Sequence, residues 1–150
     1  MPYDDLRIGR FSEANRAYFV TTVLAEREHR YFADLWLARM VIAEMRRLHD
    51  AGVVNSLAWV VMPDHLHWLF QMGETASLAQ VVKDIKARSA YRINQQLNRR
   101  GPLWQKAYYD HALRREEDVR QIARYICANP LRAGLTQVVG DYPHWDAIWL

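Results

Sequence analysis

A chain of 150 residues, 51% apolar and 25% charged, suits one ordinary domain and excludes disorder, collagen and coiled coil. One cysteine, Cys127, permits no internal disulfide, no apolar run approaches the roughly 18 residues of a membrane span, and MPYDDLRIGR lacks a hydrophobic signal region, so a cytoplasmic chain off the membrane is expected. The net charge of +3 hides an uneven spread: Lys83 to Arg115 holds nine basic and two acidic residues, leaving −4 elsewhere, which points to a phosphate-bearing partner.

No repeat, low-complexity tract or linker divides the chain, so one domain is expected, with a core over about 17–135 and a short tail, 136–150. Tyr18 to Leu24 (YFVTTVL), aromatic and β-branched, reads as a first strand. Tyr31 to Asp50 carries Phe32, Leu35, Trp36, Met40, Ala43 and Leu48 at helical spacings without Gly or Pro, which predicts a long helix ending near Gly52. Ser56 to Met62 reads as a central strand, apolar on both faces. Pro63-Asp64 breaks it, and His65 to Met72 returns antiparallel.

Ser77 is a candidate N-cap for a second helix, Leu78 to about Leu97, buried through Val81, Val82, Ile85, Ile93 and Leu97. The basic turn NRRGP leads to Trp104 and a short fourth strand, about Ala107 to Leu113. Glu116, Glu117 and Asp118 favour the start of a third helix, which Asn129-Pro130 should stop near Ala128. The order β-α-β-β-α-β-α is that of an α+β, ferredoxin-like (split βαβ) fold: a four-stranded antiparallel sheet, two helices on one face, and a C-terminal helix.

His65 and His67 alternate with Leu66 along a strand and therefore share a face, where one cation can reach both imidazoles. The competing reading is two packing histidines at a strand edge. Their setting between the apolar WVVM and WLF makes a doubly charged pair costly unless something occupies the site. Zinc is disfavoured, because no Cys/His set has structural spacing. In the third helix, Val119, Ile122 and Ile126 form the apolar stripe, and Tyr125 lies beside it, either as a core tyrosine or as a functional one. Asn129, one turn on, adds an amide oxygen to that helix face. Joined to two imidazoles, it would make a mixed N/O set suited to Mg²⁺ or Mn²⁺.

Three strings, VVMPDHLHWLF, GPLWQKAYYDHALR and RYICANPLRAGL, closely resemble the REP-associated tyrosine transposases. These are small members of the single-tyrosine HUH endonuclease and transposase superfamily (HUH: His, a bulky apolar residue, His). The resemblance runs from YFVTTV near Tyr18 to about Leu135, in one order and with fitting spacing. It implies a divalent metal on His65 and His67, a nucleophile at Tyr125 in the Y-I-x-x-N-P string, and a third ligand at Asn129. Asp64 stands where an Asn is expected, and HWD in the tail replaces a more usual Trp-Ser-Ser, which leaves a gating role of the tail open.

The resemblance further implies cleavage of single-stranded DNA at hairpin or repeat sequences through a 5′-phosphotyrosine, then strand rejoining without ATP. It also implies a nucleoid-associated protein, monomeric or homodimeric. Lys83, Lys86, Arg88, Arg92, Arg99, Arg100, Lys106, Arg114 and Arg115 would supply the DNA-backbone contacts, although a solvated helix face accounts for several equally well. Trp104 is a candidate stacking platform, with a core position the commoner fate of such a residue. Tyr108 and Tyr109 are rival nucleophiles, and Tyr109 shares a strand face with His111. The alternative function is a non-catalytic ferredoxin-like nucleic-acid-binding protein derived from a transposase; the RNP-type Gly-aromatic pattern of RNA-binding sheets is absent.

Overall fold

Three segments rich in β-branched and aromatic residues, Ala17–Val23 (β1), Val54–Met62 (β2) and His65–Met72 (β3), are largely buried and form the middle of the sheet. The computed structural model describes residues 15–147. Two further strands, Tyr109–Leu113 (β4) and Trp145–Ala147 (β5), complete a five-stranded antiparallel sheet in the order β4-β1-β3-β2-β5. The first four strands have the split βαβ order expected. The fifth strand is a departure: tail residues pair Ala58, Trp59 and Val60 and cover the β2 edge.

Helices Leu35–Asp50 (α1) and Leu78–Leu97 (α2) cover one face, packing Leu37, Val41, Met45, Val81, Val82 and Ile85 on Tyr18, Val20, Leu66, Trp68 and Phe70. Helix Glu116–Arg132 (α3) alone covers the other, with Val119, Ala123 and Ile126 against Phe19, Val60, Met62 and Leu69. Strand alternation sorts the residues: even-numbered side chains of β1 and β3 meet α1 and α2, and odd-numbered ones face α3. That rule puts His65 and His67 in the α3 layer. No helix among the described residues is long and apolar enough to cross a membrane.

α1 starts at Leu35 rather than Tyr31, because Asp34 caps it, its carboxylate accepting from the Trp36 and Leu37 amides at 2.8 and 3.4 Å. Tyr31–Ala33 is a separate 3₁₀ turn. β4 begins at Tyr109 rather than Ala107, whereas β2 starts two residues early, at Val54. β1 runs Ala17–Val23, and Leu24 makes only an isolated bridge to Trp104.

α3 passes through Asn129-Pro130 and ends four residues beyond the expected stop. Pro130 removes one backbone bond, but its ring is buried and the helix completes one more turn. The terminator is Gly134, at φ +73°, where a side chain would be strained. There the Leu135 amide bonds the Pro130 carbonyl (2.9 Å) and the Gly134 amide bonds the Leu131 carbonyl (3.1 Å), the paired closure of a Schellman motif.

Candidate active site

The two-residue link Pro63-Asp64 joins β2 to β3 and sets where β3 begins, with Met62 opposite His65. Both carbonyls of the link are engaged: Pro63 accepts from the Phe32 amide at 3.0 Å and Asp64 from the Leu24 amide at 2.9 Å. The turn is therefore tied to the end of β1 and to the 3₁₀ turn before α1. His65 and His67 project from it on the α3 face, ring centroids 4.6 Å apart at 76°.

Each imidazole is oriented through Nδ1. His65 Nδ1 lies 2.7 Å from Asp64 Oδ1, and the other Asp64 oxygen accepts from Arg27 Nε at 2.7 Å. His67 Nδ1 lies 2.7 Å from Thr21 Oγ1, on the neighbouring strand. The two Nε2 atoms make no hydrogen bond to the described residues, so both rings present the same nitrogen outward, the arrangement of metal-binding histidines held by outer partners. Burial raises the Asp64 pKa, but hydrogen bonds from His65 and Arg27 outweigh it and hold the carboxyl below its ordinary value. Burial first, then the charges of His65 and Arg132, push His67 down to about 3 against a smaller opposing pull from Asp64. His67 is thus neutral at physiological pH and need lose no proton to bind a cation.

Across the gap from the sheet, α3 brings Tyr125 to His67, ring centroids 5.7 Å apart. Phe19 completes a triangle of rings with them, 5.4 Å from His67 and 6.1 Å from Tyr125. Tyr125 is 42% exposed, so it belongs to a rim rather than a core, and its hydroxyl has no hydrogen-bond partner among the described residues. The Arg132 guanidinium lies 4.1 Å from the Tyr125 ring centroid and donates to the Tyr125 carbonyl at 2.6 Å. It clamps the ring from the solvent side with a positive charge. Asn129, one turn after Tyr125 on the same helix, is buried as a residue and makes no side-chain hydrogen bond to a described residue. Two imidazole nitrogens without a hydrogen bond to a described residue, with the Asn129 amide oxygen one turn from Tyr125, are donors of the kind a divalent cation takes.

Thr21, Asp64, Arg27 and Arg132 escape sequence reasoning. Only Asp64 carries a local signal, its place immediately before the first histidine. The exposed group Glu26, Glu28 and His29 lies on the turn that also carries Arg27, where His29 is already paired with Glu26.

The basic residues divide sharply. Arg92 bonds buried Glu44 at 3.1 Å, Arg88 bonds Asp84 at 3.1 Å, and Arg47 joins both acids, so these tie α1 to α2. Lys86 donates to the Gln105 and Lys106 carbonyls at 2.7 and 3.1 Å, stapling the loop before β4. Arg99 bonds Asn94 Oδ1 at 2.6 Å and stands over the Tyr31 ring. Lys83, Arg100, Lys106, Arg114 and Arg115 have no side-chain partner among the described residues. Trp104 is core, 5% exposed, its Nε1 donating to Ser89 Oγ at 3.0 Å, and cannot serve as a stacking platform.

The tail is anchored beside this region. Tyr142 donates to the Val61 carbonyl at 2.7 Å, its hydroxyl pKa pushed up to about 12 chiefly by burial, and the Val61 amide bonds the His144 carbonyl at 2.8 Å.

Known proteins share the fold and much of the sequence pattern. A REP-associated tyrosine transposase assigned in Haemophilus influenzae is 27% identical over 144 residues, spanning 85% of this chain and 77% of that one. The REP-associated tyrosine transposase of Escherichia coli is 29% identical over 87 residues, 57% of this chain and 50% of that one. Among solved structures, a REP-associated tyrosine transposase bound to a REP hairpin superposes with a TM-score of 0.77 at 23% identity, covering 91% of this chain and 79% of that one. A protein of Deinococcus radiodurans assigned as a transposase reaches 0.55 at 22% identity, over 77% of this chain and 92% of that one. The family model described as "Transposase IS200 like" matches residues 15–129, from before β1 to Asn129. The resemblance to REP-associated tyrosine transposases is borne out, and the chain belongs to the IS200-like transposase family.

Proposed function

We propose that this transposase-family chain cuts and rejoins single-stranded DNA beside hairpin or repeat sequences, with Tyr125 as nucleophile. The observation that carries the reading is the half-exposed Tyr125 ring against His67, whose own ring adjoins His65 with Nε2 free. Tyr125 Oη would attack a backbone phosphorus, forming a P–O bond to the enzyme while the P–O3′ bond breaks. The departing oxygen takes up a proton and becomes a 3′-hydroxyl, and the phenolic proton goes to solvent. A later 3′-hydroxyl reverses the exchange, so no ATP is needed.

His65, His67 and Asn129 would hold Mg²⁺ or Mn²⁺, which when bound would offset charge on the phosphoryl oxygens and favour ionised tyrosine. Arg132 fixes the Tyr125 ring, and Asp64 and Thr21 hold the imidazoles so that Nε2 faces the gap. The hairpin preference draws support from the relative solved with a REP hairpin. Incubation with hairpin-bearing single-stranded oligonucleotides and Mn²⁺, followed by a denaturing gel, should show a covalent protein–DNA band. Binding without that band would establish the non-catalytic alternative.

Affinity should fall with salt, and the division of the basic residues predicts where. Arg114→Ala with Arg115→Ala should weaken binding to all sequences alike and reduce the log–log salt slope by about 0.7 per lost phosphate contact. Arg92→Ala should leave the slope unchanged and lower thermal stability, because it removes a partner from buried Glu44. Titration of labelled oligonucleotides at several salt concentrations separates the two effects.

A further inference from the structure

β4 is an edge strand whose α3-side face is covered at Leu113 and left open at Tyr109 and His111. α3 lies mainly over β2 and β3, while β4 presents Tyr109 and His111 to solvent on the face shared with His67. Tyr109 is 58% exposed and meets Phe19 at 6.2 Å and 72°. Phe19 is also the ring against which Tyr125 rests. One buried phenyl group therefore touches both the candidate nucleophile and a second, more exposed aromatic ring.

Cations mark both ends of this strand. Lys106 precedes it and Arg114 and Arg115 follow it, all exposed and without side-chain partners among the described residues. Two acidic neighbours are diverted: alternation turns Asp110 to the opposite face, and Glu116 pairs with Arg120 at 3.0 Å, while Glu117 and Asp118 stand in the first turn of α3. Flat rings between flanking cations match the chemistry of a strand whose bases stack on aromatic faces while its phosphates meet positive charge. Only an unpaired base can offer its face in this way, so the occupant is single-stranded rather than duplex DNA.

We propose that β4 is a base-stacking rail, in which Tyr109 stacks on the base of a nucleotide flanking the phosphate attacked by Tyr125, and Lys106, Arg114 and Arg115 meet the adjoining phosphates. The proposal rests on the reading of the chain as a single-strand nuclease, and gives Tyr109 a recognition role in place of the nucleophilic one. Its ring is mostly outside the core, so removing it should leave the fold intact.

The test measures anisotropy of labelled hairpin oligonucleotides with single-stranded flanks, each flank position replaced in turn by an abasic site. Tyr109→Ala should weaken binding of the intact oligonucleotide on the order of tenfold, and Tyr109→Phe should retain parental affinity and adduct formation. At one flank position the abasic site should weaken the parent to the same extent and leave Tyr109→Ala no further loss. Equal affinity of Tyr109→Ala and the parent, or losses that add at every position, would overturn the rail. Loss of the adduct in Tyr109→Phe would overturn it too, by making Tyr109 the attacking group. If the parent forms no adduct while the binding results hold, the rail stands and the nuclease reading fails.

Discussion

Tyr125→Phe should fold and melt as the parent does and form no covalent adduct with DNA at any divalent-metal concentration. The hydroxyl it removes has no hydrogen-bond partner among the described residues, and the ring keeps its contacts with Phe19, His67 and Arg132. A purely structural tyrosine would lose at most a hydrogen bond, about 0.5–1.5 kcal/mol, and leave cleavage untouched. Denaturing gels of protein–DNA mixtures, beside thermal melts of both proteins, decide between these. An adduct in the Phe variant would transfer the nucleophilic role to another tyrosine.

The second large effect belongs to the histidine pair and its support. His67→Ala should abolish adduct formation at low Mn²⁺, because it removes the more buried of two nitrogens presented to one gap. Asp64→Ala should act differently. It leaves both imidazoles but frees His65 to rotate, so the Mn²⁺ concentration giving half-maximal adduct should rise roughly 10–100-fold while the plateau is retained. A Mn²⁺ titration of adduct yield reads this directly. An unchanged midpoint in Asp64→Ala would show that its bond to His65 has no part in metal binding. The Asp at this position, a departure from the expected Asn, thus engages two partners at once, with one carboxylate oxygen on His65 and the other on Arg27.

Much of this architecture was legible because its signals are local. Ser77 starts α2 where expected, reinforced by the reciprocal Ser77–Gln80 capping box, and β3 begins and ends at the residues its pattern predicted. The shared face of His65 and His67 follows from strand alternation alone. What escaped depends on partners distant in sequence. β5 has only three residues, too few for a periodic signal, and exists because β2 offers an open edge. Arg92 looks like a solvated cation on α2; its acid is Glu44, on another helix and 48 residues away. The true start of α1 and the true end of α3 did carry local marks, Asp34 and Gly134, which the helical pattern and Pro130 overrode.

The sheet separates two apolar cores of unequal size, a large one shared by α1 and α2 and a small one under α3. Local opening follows this division, since lifting α3 exposes little more than Val119, Ala123, Ile126 and the residues they touch, whereas disturbing β3 breaks both cores. Among the described residues the histidines therefore stand on a strand that both cores share, and the tyrosine stands on the helix of the smaller core. The proposed chemistry joins a fixed half to a half that can loosen and reseat without unfolding the rest.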